Sequence, residues 1–247
     1  MILKKHFLIC FSFLILISIF SFTIMNSTKE KTKLHYLVRQ PKTKIANPPL
    51  LLLLHGVGGN EQNLFSFANE LPDNFLVVSA RGPLTLRPES FAWFQVSFTS
   101  GYPQINEQQA EAARITILDF IESLKNELDF DDKQVYMMGF SQGGIMSYSV
   151  ALTEPEKIKG IAVMSGRLLP EVKPLIADEK RIEKLNVFVS HGRQDAVLHL
   201  PFATDAVSYL QTKGLKPEFH QYDEGHTINQ QMFEEVNLWL KTSVTQQ

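Results

Sequence analysis

Val135-Tyr136-Met137-Met138-Gly139-Phe140-Ser141-Gln142-Gly143-Gly144 is the stretch on which the fold turns. Its first half is short and apolar and reads as a buried strand. It breaks into Gly-x-Ser-x-Gly, and Ile145 to Leu152 follow with the length and apolar character of a buried helix. Strand, sharp turn and helix together present a serine at the tip of a tight turn. The glycines fit that geometry, because a Cβ beside so strained a residue would meet the strand or the helix. The backbone N–H of Gln142 then lies at the helix start, aimed where an oxyanion would form.

Working outward, strands and helices alternate along the whole chain. Leu34–Val38 reads as an edge strand. Leu50–Leu54, bounded by Pro49 and Gly56, is too short and too apolar for anything but a strand buried on both faces. Phe75–Ser79, Ile158–Met164, Val187–Ser190 and Lys216–Tyr222 complete the strands. Helices are expected from about Gln62 to Leu71, over Asn106–Leu128 with Ala110, Ala113, Ile117, Phe120, Ile121 and Leu124 on one face, over Pro201–Lys213 and over Ile228–Leu240. Leu84–Ile105 is irregular and carries Trp93, Phe94, Phe98 and Tyr102, and Pro170–Lys184 reads as a surface excursion. The alternation predicts an α/β fold with a mostly parallel central sheet and helices on both faces.

Composition narrows the function. The chain has 247 residues, 44% of them hydrophobic, and a formal net charge of -2, which argues against nucleic acid as a partner. Its one cysteine is Cys10, inside the N-terminal apolar segment, so the globular part has no Cys nucleophile and no Cys-based metal site. Met1-Ile2-Leu3-Lys4-Lys5 and the apolar run Phe7–Met25 predict a signal peptide or membrane anchor over residues 1–27. A linker at 28–33 and a catalytic domain at 34–247 follow. The expected location is outside the cytoplasmic membrane, periplasmic or extracellular, as a released protein or one that touches the membrane through an uncleaved N-terminus.

In a parallel sheet, sites gather at the carboxyl ends of the strands. There stand His55-Gly56, Ser141, Asp195 in His191-Gly192-Arg193-Gln194-Asp195, and His226 in Glu224-Gly225-His226. A serine hydroxyl needs a base within reach, and an imidazole needs a buried acceptor to orient it. His226 follows the last strand in a loop that can reach over the sheet. His220 lies inside that strand and reads as structural, His55 and His191 as loop-shaping, and His199 as a surface residue. Asp195 follows a strand, while Asp223 and Glu224 are too close in sequence to orient His226 easily. The N–H of Val57, in His55-Gly56-Val57-Gly58-Gly59, is the candidate second oxyanion donor. Losing one such donor typically costs about 3 kcal/mol of transition-state stabilisation. Trp93 and Phe94 are candidates for the substrate pocket, with core packing as the alternative. No metal ligand set is expected.

These motifs resemble the phospholipase/carboxylesterase family of α/β-hydrolases. The resemblance runs through His55–Glu61, Arg81-Gly82-Pro83 with Trp93-Phe94, Gly139-Phe140-Ser141-Gln142-Gly143-Gly144, His191–Asp195 and Gly225-His226, across about residues 34 to 240. It implies the α/β-hydrolase fold and a triad of Ser141, Asp195 and His226. It also implies backbone donors at Val57 and Gln142, and hydrolysis of small-molecule carboxylic esters, acyl thioesters or lysophospholipids without a cofactor. The family often has Asp after the His-Gly-x-Gly of the first loop, where Gly59-Asn60 stands here. The competing readings are a ligand-binding protein without catalysis and a serine peptidase, both on the same fold.

Overall fold

The computed structural model describes residues 34–97 and 103–245. The N-terminal segment, the linker, Phe98 and Tyr102 lie outside the described residues. Seven strands make the central sheet: β1 Tyr36–Arg39, β2 Pro49–Leu54, β3 Leu76–Ala80, β4 Asp131–Phe140, β5 Gly160–Met164, β6 Asn186–Gly192 and β7 Glu218–Tyr222. Their spatial order is β1-β3-β2-β4-β5-β6-β7. Only β1 is antiparallel, pairing Tyr36 with Ala80 and Arg39 with Val77.

The leucine run explains why β2 lies inside the sheet. Leu50–Leu54 are all fully buried. They pair in register with Leu76–Ala80 on one side and with Val135–Gly139 on the other. Because alternate side chains face opposite ways, Leu50, Leu52 and Leu54 enter one core while Leu51 and Leu53 enter a second. The first core is closed by helices α2 Glu107–Leu124, α3 Gln142–Thr153 and α5 Pro201–Thr212. The second lies under α1 Gln62–Phe65 and α6 Gln230–Thr245, where Phe233, Val236, Trp239 and Leu240 are buried. Helices therefore cover both faces, as the alternation of elements predicts.

The departures from the sequence reading have physical causes. The helix expected over Gln62–Leu71 stops at Phe65 and continues as tight turns, with Ala68 N–H bonded to Phe65 O and Glu70 N–H to Phe67 O. The buried guanidinium of Arg39 takes the carbonyls of Ala68, Leu71, Pro72 and Phe75, so the chain beyond Phe65 bends around that cation. Leu84–Ile105 holds two short antiparallel ribbons, Leu84–Arg87 with Ser90–Ala92 and Val96–Ser97 with Gln104–Ile105. Pro170–Lys184 contains a 3-10 helix, Pro170–Leu175, and a short helix α4, Glu179–Ile182. It is more than a surface excursion, because Val172, Ala177 and Ile182 pack into the first core. The last helix begins at Gln230 and runs on to Thr245.

Among the described residues no helix is long and apolar enough to cross a membrane.

Candidate active site

The turn after β4 puts Ser141 at φ 53°, ψ -114°. A serine in so sparsely populated a conformation costs about 1–3 kcal/mol, which the surrounding structure must offset. The Ser141 N–H donates to Met164 O at the end of β5 (2.9 Å), and Ile145 N–H closes the first turn of α3 onto Ser141 O (3.0 Å). The helix start presses against β2, where a Cβ on Gly143 would run into the Leu54 carbonyl. Only glycine permits that approach.

The structure brings Ser141, His226 and Asp195 into one hydrogen-bonded line. His226 Nε2 lies 2.9 Å from Ser141 Oγ, and His226 Nδ1 lies 2.6 Å from Asp195 Oδ2. The other oxygen of Asp195 accepts the N–H groups of Val197 (2.9 Å) and Leu198 (2.8 Å). Burial pushes the Asp195 carboxyl up, but His226 and these two N–H donors outweigh it and hold it below the ordinary aspartate value. The acid and histidine loops are zipped together by backbone: Arg193 N–H donates to Tyr222 O (2.7 Å) and Gln194 N–H to Glu224 O (2.9 Å). A Cβ on Gly192 would strike the carbonyls of Glu224 and Gly225, so this glycine lets the two loops meet.

His55 and His191 are buried, as loop-shaping residues should be. His55 Nδ1–H donates to Gly56 O (2.7 Å), and Nε2 accepts the Gly82 N–H (2.9 Å). His191 Nε2–H donates to Leu198 O (2.6 Å) and sits 3.4 Å from Asp195 Oδ2. His220 stacks on Phe188 and bridges Glu218 and Glu235, which is a structural role. His199 lies at the surface, with Nδ1 3.1 Å from Asp195 O.

Burial lowers the pKa of both His55 and His191, which favours the neutral imidazole in the folded chain at pH 7. The unfolded chain takes up those protons near pH 6.5. Below that pH it binds more protons than the folded chain, and stability falls by up to about 1.4 kcal/mol per pH unit for each histidine. The urea midpoint therefore drops between pH 7 and pH 5, and a flat profile there would contradict two neutral buried imidazoles. The contribution of Asp195 belongs to a separate window: it is present above the ordinary carboxylate pKa of about 3.9 and disappears only as pH falls below it.

The Gly-rich loop after β2 is pinned by the ribbon next to it. Gly58 N–H donates to Phe91 O and Phe91 N–H to Gly59 O, each at 2.8 Å. Among the described residues nothing occupies the N–H of Val57 or of Gln142. Glu61 anchors the same loop through a bidentate pair with Arg81, and Ser79 Oγ donates to Glu61 O. At the position where the family often has Asp, Asn60 Oδ1 caps the Gln62 N–H (2.9 Å).

The two candidate pocket aromatics part company. Phe94 lines the cavity next to Ser141. Trp93 does not. It is fully buried behind the Gly-rich loop, with Nε1–H on His55 O (2.9 Å) and its ring centroid 5.5 Å from that of His55. The Gln142 side chain, unremarked in the sequence, holds both: Oε1 accepts the Trp93 N–H (2.8 Å) and Nε2 donates to Phe94 O (2.7 Å). The cavity measures about 220 Å³ and is walled by Val57, Phe94, Val96, Ile105, Ile145 and Leu198, with Ser141 and His226 at one side. Arg167 also reaches it. Its only signal in the sequence is its place three residues beyond a strand's carboxyl end. Among the described residues, no group of three His, Cys, Asp or Glu is placed to hold a metal ion.

Residues 35–244 match the family model described as phospholipase/carboxylesterase. The putative hydrolase MhqD of Bacillus subtilis is 24% identical over 195 residues, covering 79% of this chain and 94% of that protein. Carboxylesterase SOBER1 of Arabidopsis thaliana is 27% identical over 205 residues, covering 77% and 89%. The crystal structure of the Bacillus cereus carboxylesterase superposes with a TM-score of 0.74 at 20% identity, over 85% of this chain and 94% of that one. The chain therefore belongs to the phospholipase/carboxylesterase family and is a carboxylesterase/thioesterase-type hydrolase of the α/β-hydrolase fold.

Proposed function

We propose that this protein is a serine esterase that cleaves short carboxylic esters through an acyl-enzyme on Ser141. The observation that carries the reading is the line Ser141–His226–Asp195, at 2.9 and 2.6 Å, opening onto an apolar cavity. His226 Nε2 takes the proton of Ser141 as Oγ bonds to the ester carbonyl carbon. The tetrahedral oxyanion is held by the N–H groups of Val57 and Gln142. Collapse breaks the bond to the alcohol oxygen, which leaves with the proton from His226. Water then attacks the acyl-enzyme by the same route, gives its proton to His226, and releases the carboxylic acid as Ser141 regains a proton. Asp195 fixes the tautomer of His226 and stabilises the imidazolium.

The cavity volume favours short acyl groups. About 220 Å³ lies below the roughly 300–1,000 Å³ of pockets that enclose drug-sized ligands. A p-nitrophenyl ester series tests this: kcat/KM peaks at acetate to butyrate and falls for decanoate and longer, whereas a maximum at long chains would overturn the size argument. A fluorophosphonate probe labels Ser141 of the folded protein under the esterase reading. Absence of labelling would favour the ligand-binding alternative.

For location, the basic start and apolar run of residues 1–27 support export, with the catalytic domain outside the cytoplasmic membrane. Recovery of the protein in the cytosolic fraction of its source cells would count against it.

A further inference from the structure

We propose that Arg167 recognises a carboxylate on the substrate, so that the preferred esters are short ones bearing a negative charge on the acyl or the alcohol part. The proposal rests on the acyl-enzyme reading of Ser141 and adds the class of ester that the site selects.

Three observations place a binding cation here. Arg167 follows Ser165-Gly166 at the carboxyl end of β5, the strand beside the elbow strand, with Phe140 paired to Met164. That turn is tight: Ser165 stands at φ 49° and its N–H donates to Ser190 O (2.9 Å). Arg167 is one of the residues that line the cavity beside Ser141 and His226. Arg167 is only 9% exposed.

Its donors are mostly unused. A guanidinium offers five N–H donors. Among the described residues Arg167 makes one hydrogen bond, from Nη2 to Pro103 O (3.2 Å), and its buried Nε has no partner. No Asp or Glu oxygen of the described residues lies within 4.0 Å of it. The guanidinium carbon also lies 5.3 Å from the centroid of the Phe202 ring.

A cation this buried loses most of its hydration. Ordinarily a carboxylate or a set of carbonyls compensates, as five backbone carbonyls do for Arg39. Arg167 has neither. Burial lowers its pKa, which the more distant charge of Glu171 only partly offsets, yet an arginine side chain stays protonated throughout the working range. The missing partner is an anion with planar, bidentate geometry, and a carboxylate supplies it. Most of the remaining wall is apolar, so a substrate that matches the cavity is a short hydrocarbon with an ester near Ser141 and a carboxylate near Arg167.

The test compares four esters on the full chain: p-nitrophenyl butyrate, ethyl butyrate, the mono-p-nitrophenyl ester of glutaric acid, and the butyrate ester of glycolic acid. The last two place the carboxylate on the acyl and alcohol sides respectively. One of them is expected to exceed its neutral counterpart, p-nitrophenyl butyrate or ethyl butyrate, in kcat/KM. Arg167→Gln should reduce that preference by roughly thirtyfold or more, and Arg167→Lys by less, since the charge remains without the fork. No preference in the wild type, or a preference that Arg167→Gln leaves intact, overturns the proposal while leaving the acyl-enzyme reading in place. An equal loss on charged and neutral esters would instead make Arg167 a structural clamp on the Pro103 segment.

A binding measurement separates the two readings if turnover is absent. Glutarate should raise the melting temperature of the wild type, neutral glutaramide should not, and Arg167→Gln should abolish the effect. Failure of glutarate to stabilise the wild type overturns the carboxylate site regardless of catalysis.

Discussion

Ser141→Ala is expected to lower kcat for p-nitrophenyl butyrate by about a million-fold, to the residual rate that binding and the oxyanion donors support. The change removes the atom that would form the acyl bond in the proposed mechanism, the group 2.9 Å from His226 Nε2. It leaves the N–H of Val57 and Gln142, the cavity walls and the Asp195–His226 pair as they are. Alanine must still occupy φ 53°, where serine already stands, so the backbone strain is not new. The side chain lost is small and the melting temperature should move by only a few degrees. Initial rates of the purified variant, together with its thermal unfolding curve, decide the matter. Turnover within tenfold of wild type in a folded variant would remove Ser141 from the mechanism.

Asp195→Asn is expected to lower kcat by about ten-thousand-fold while the fold survives. Asp195 Oδ1 accepts two backbone N–H groups and Oδ2 faces His226 Nδ1. Asparagine can keep the first arrangement only by placing its oxygen toward Val197 and Leu198. Its NH₂ then faces His226 and makes Nδ1 an acceptor. The imidazole proton moves to Nε2 and points at Ser141 Oγ, where a lone pair is needed to take the serine proton. Asparagine also lacks the charge that stabilises the imidazolium. Steady-state kinetics and the imidazole nitrogen shifts of His226 by NMR read both consequences. A variant with the wild-type tautomer and less than a tenfold loss would mean that His226 is oriented by something else.

These two expectations differ in how far they could be reached from the residues alone. The serine is legible because Gly139-Phe140-Ser141-Gln142-Gly143 lies between a short apolar strand and a buried helix. The acid and histidine are legible as polar residues at strand ends, a property of parallel sheets in general. The distances depend on contacts that span the chain. Arg193 to Tyr222 and Gln194 to Glu224 are backbone bonds between loops about thirty residues apart, and they set the reach of His226. Likewise the helix beyond Phe65 fails for a tertiary reason, since Arg39 takes carbonyls from a segment far along the chain.

What the sequence by itself determined is the layering and the reaction class. Periodicity decides which elements are strands or helices, and the run Leu50–Leu54 can be satisfied only inside a sheet covered on both faces. What only the tertiary structure decided is which side chains line the cavity beside Ser141. Trp93 and Phe94 are adjacent aromatics, yet one is fixed behind the Gly-rich loop and the other lines the cavity. The Gln142 side chain makes that division by binding the backbone of both. Arg167 reads in sequence as any charged residue, and its burial beside Ser141 follows from the neighbouring order of β4 and β5. Pocket identity is a property of side chains converging from distant segments, and neither local propensity nor periodicity carries that information.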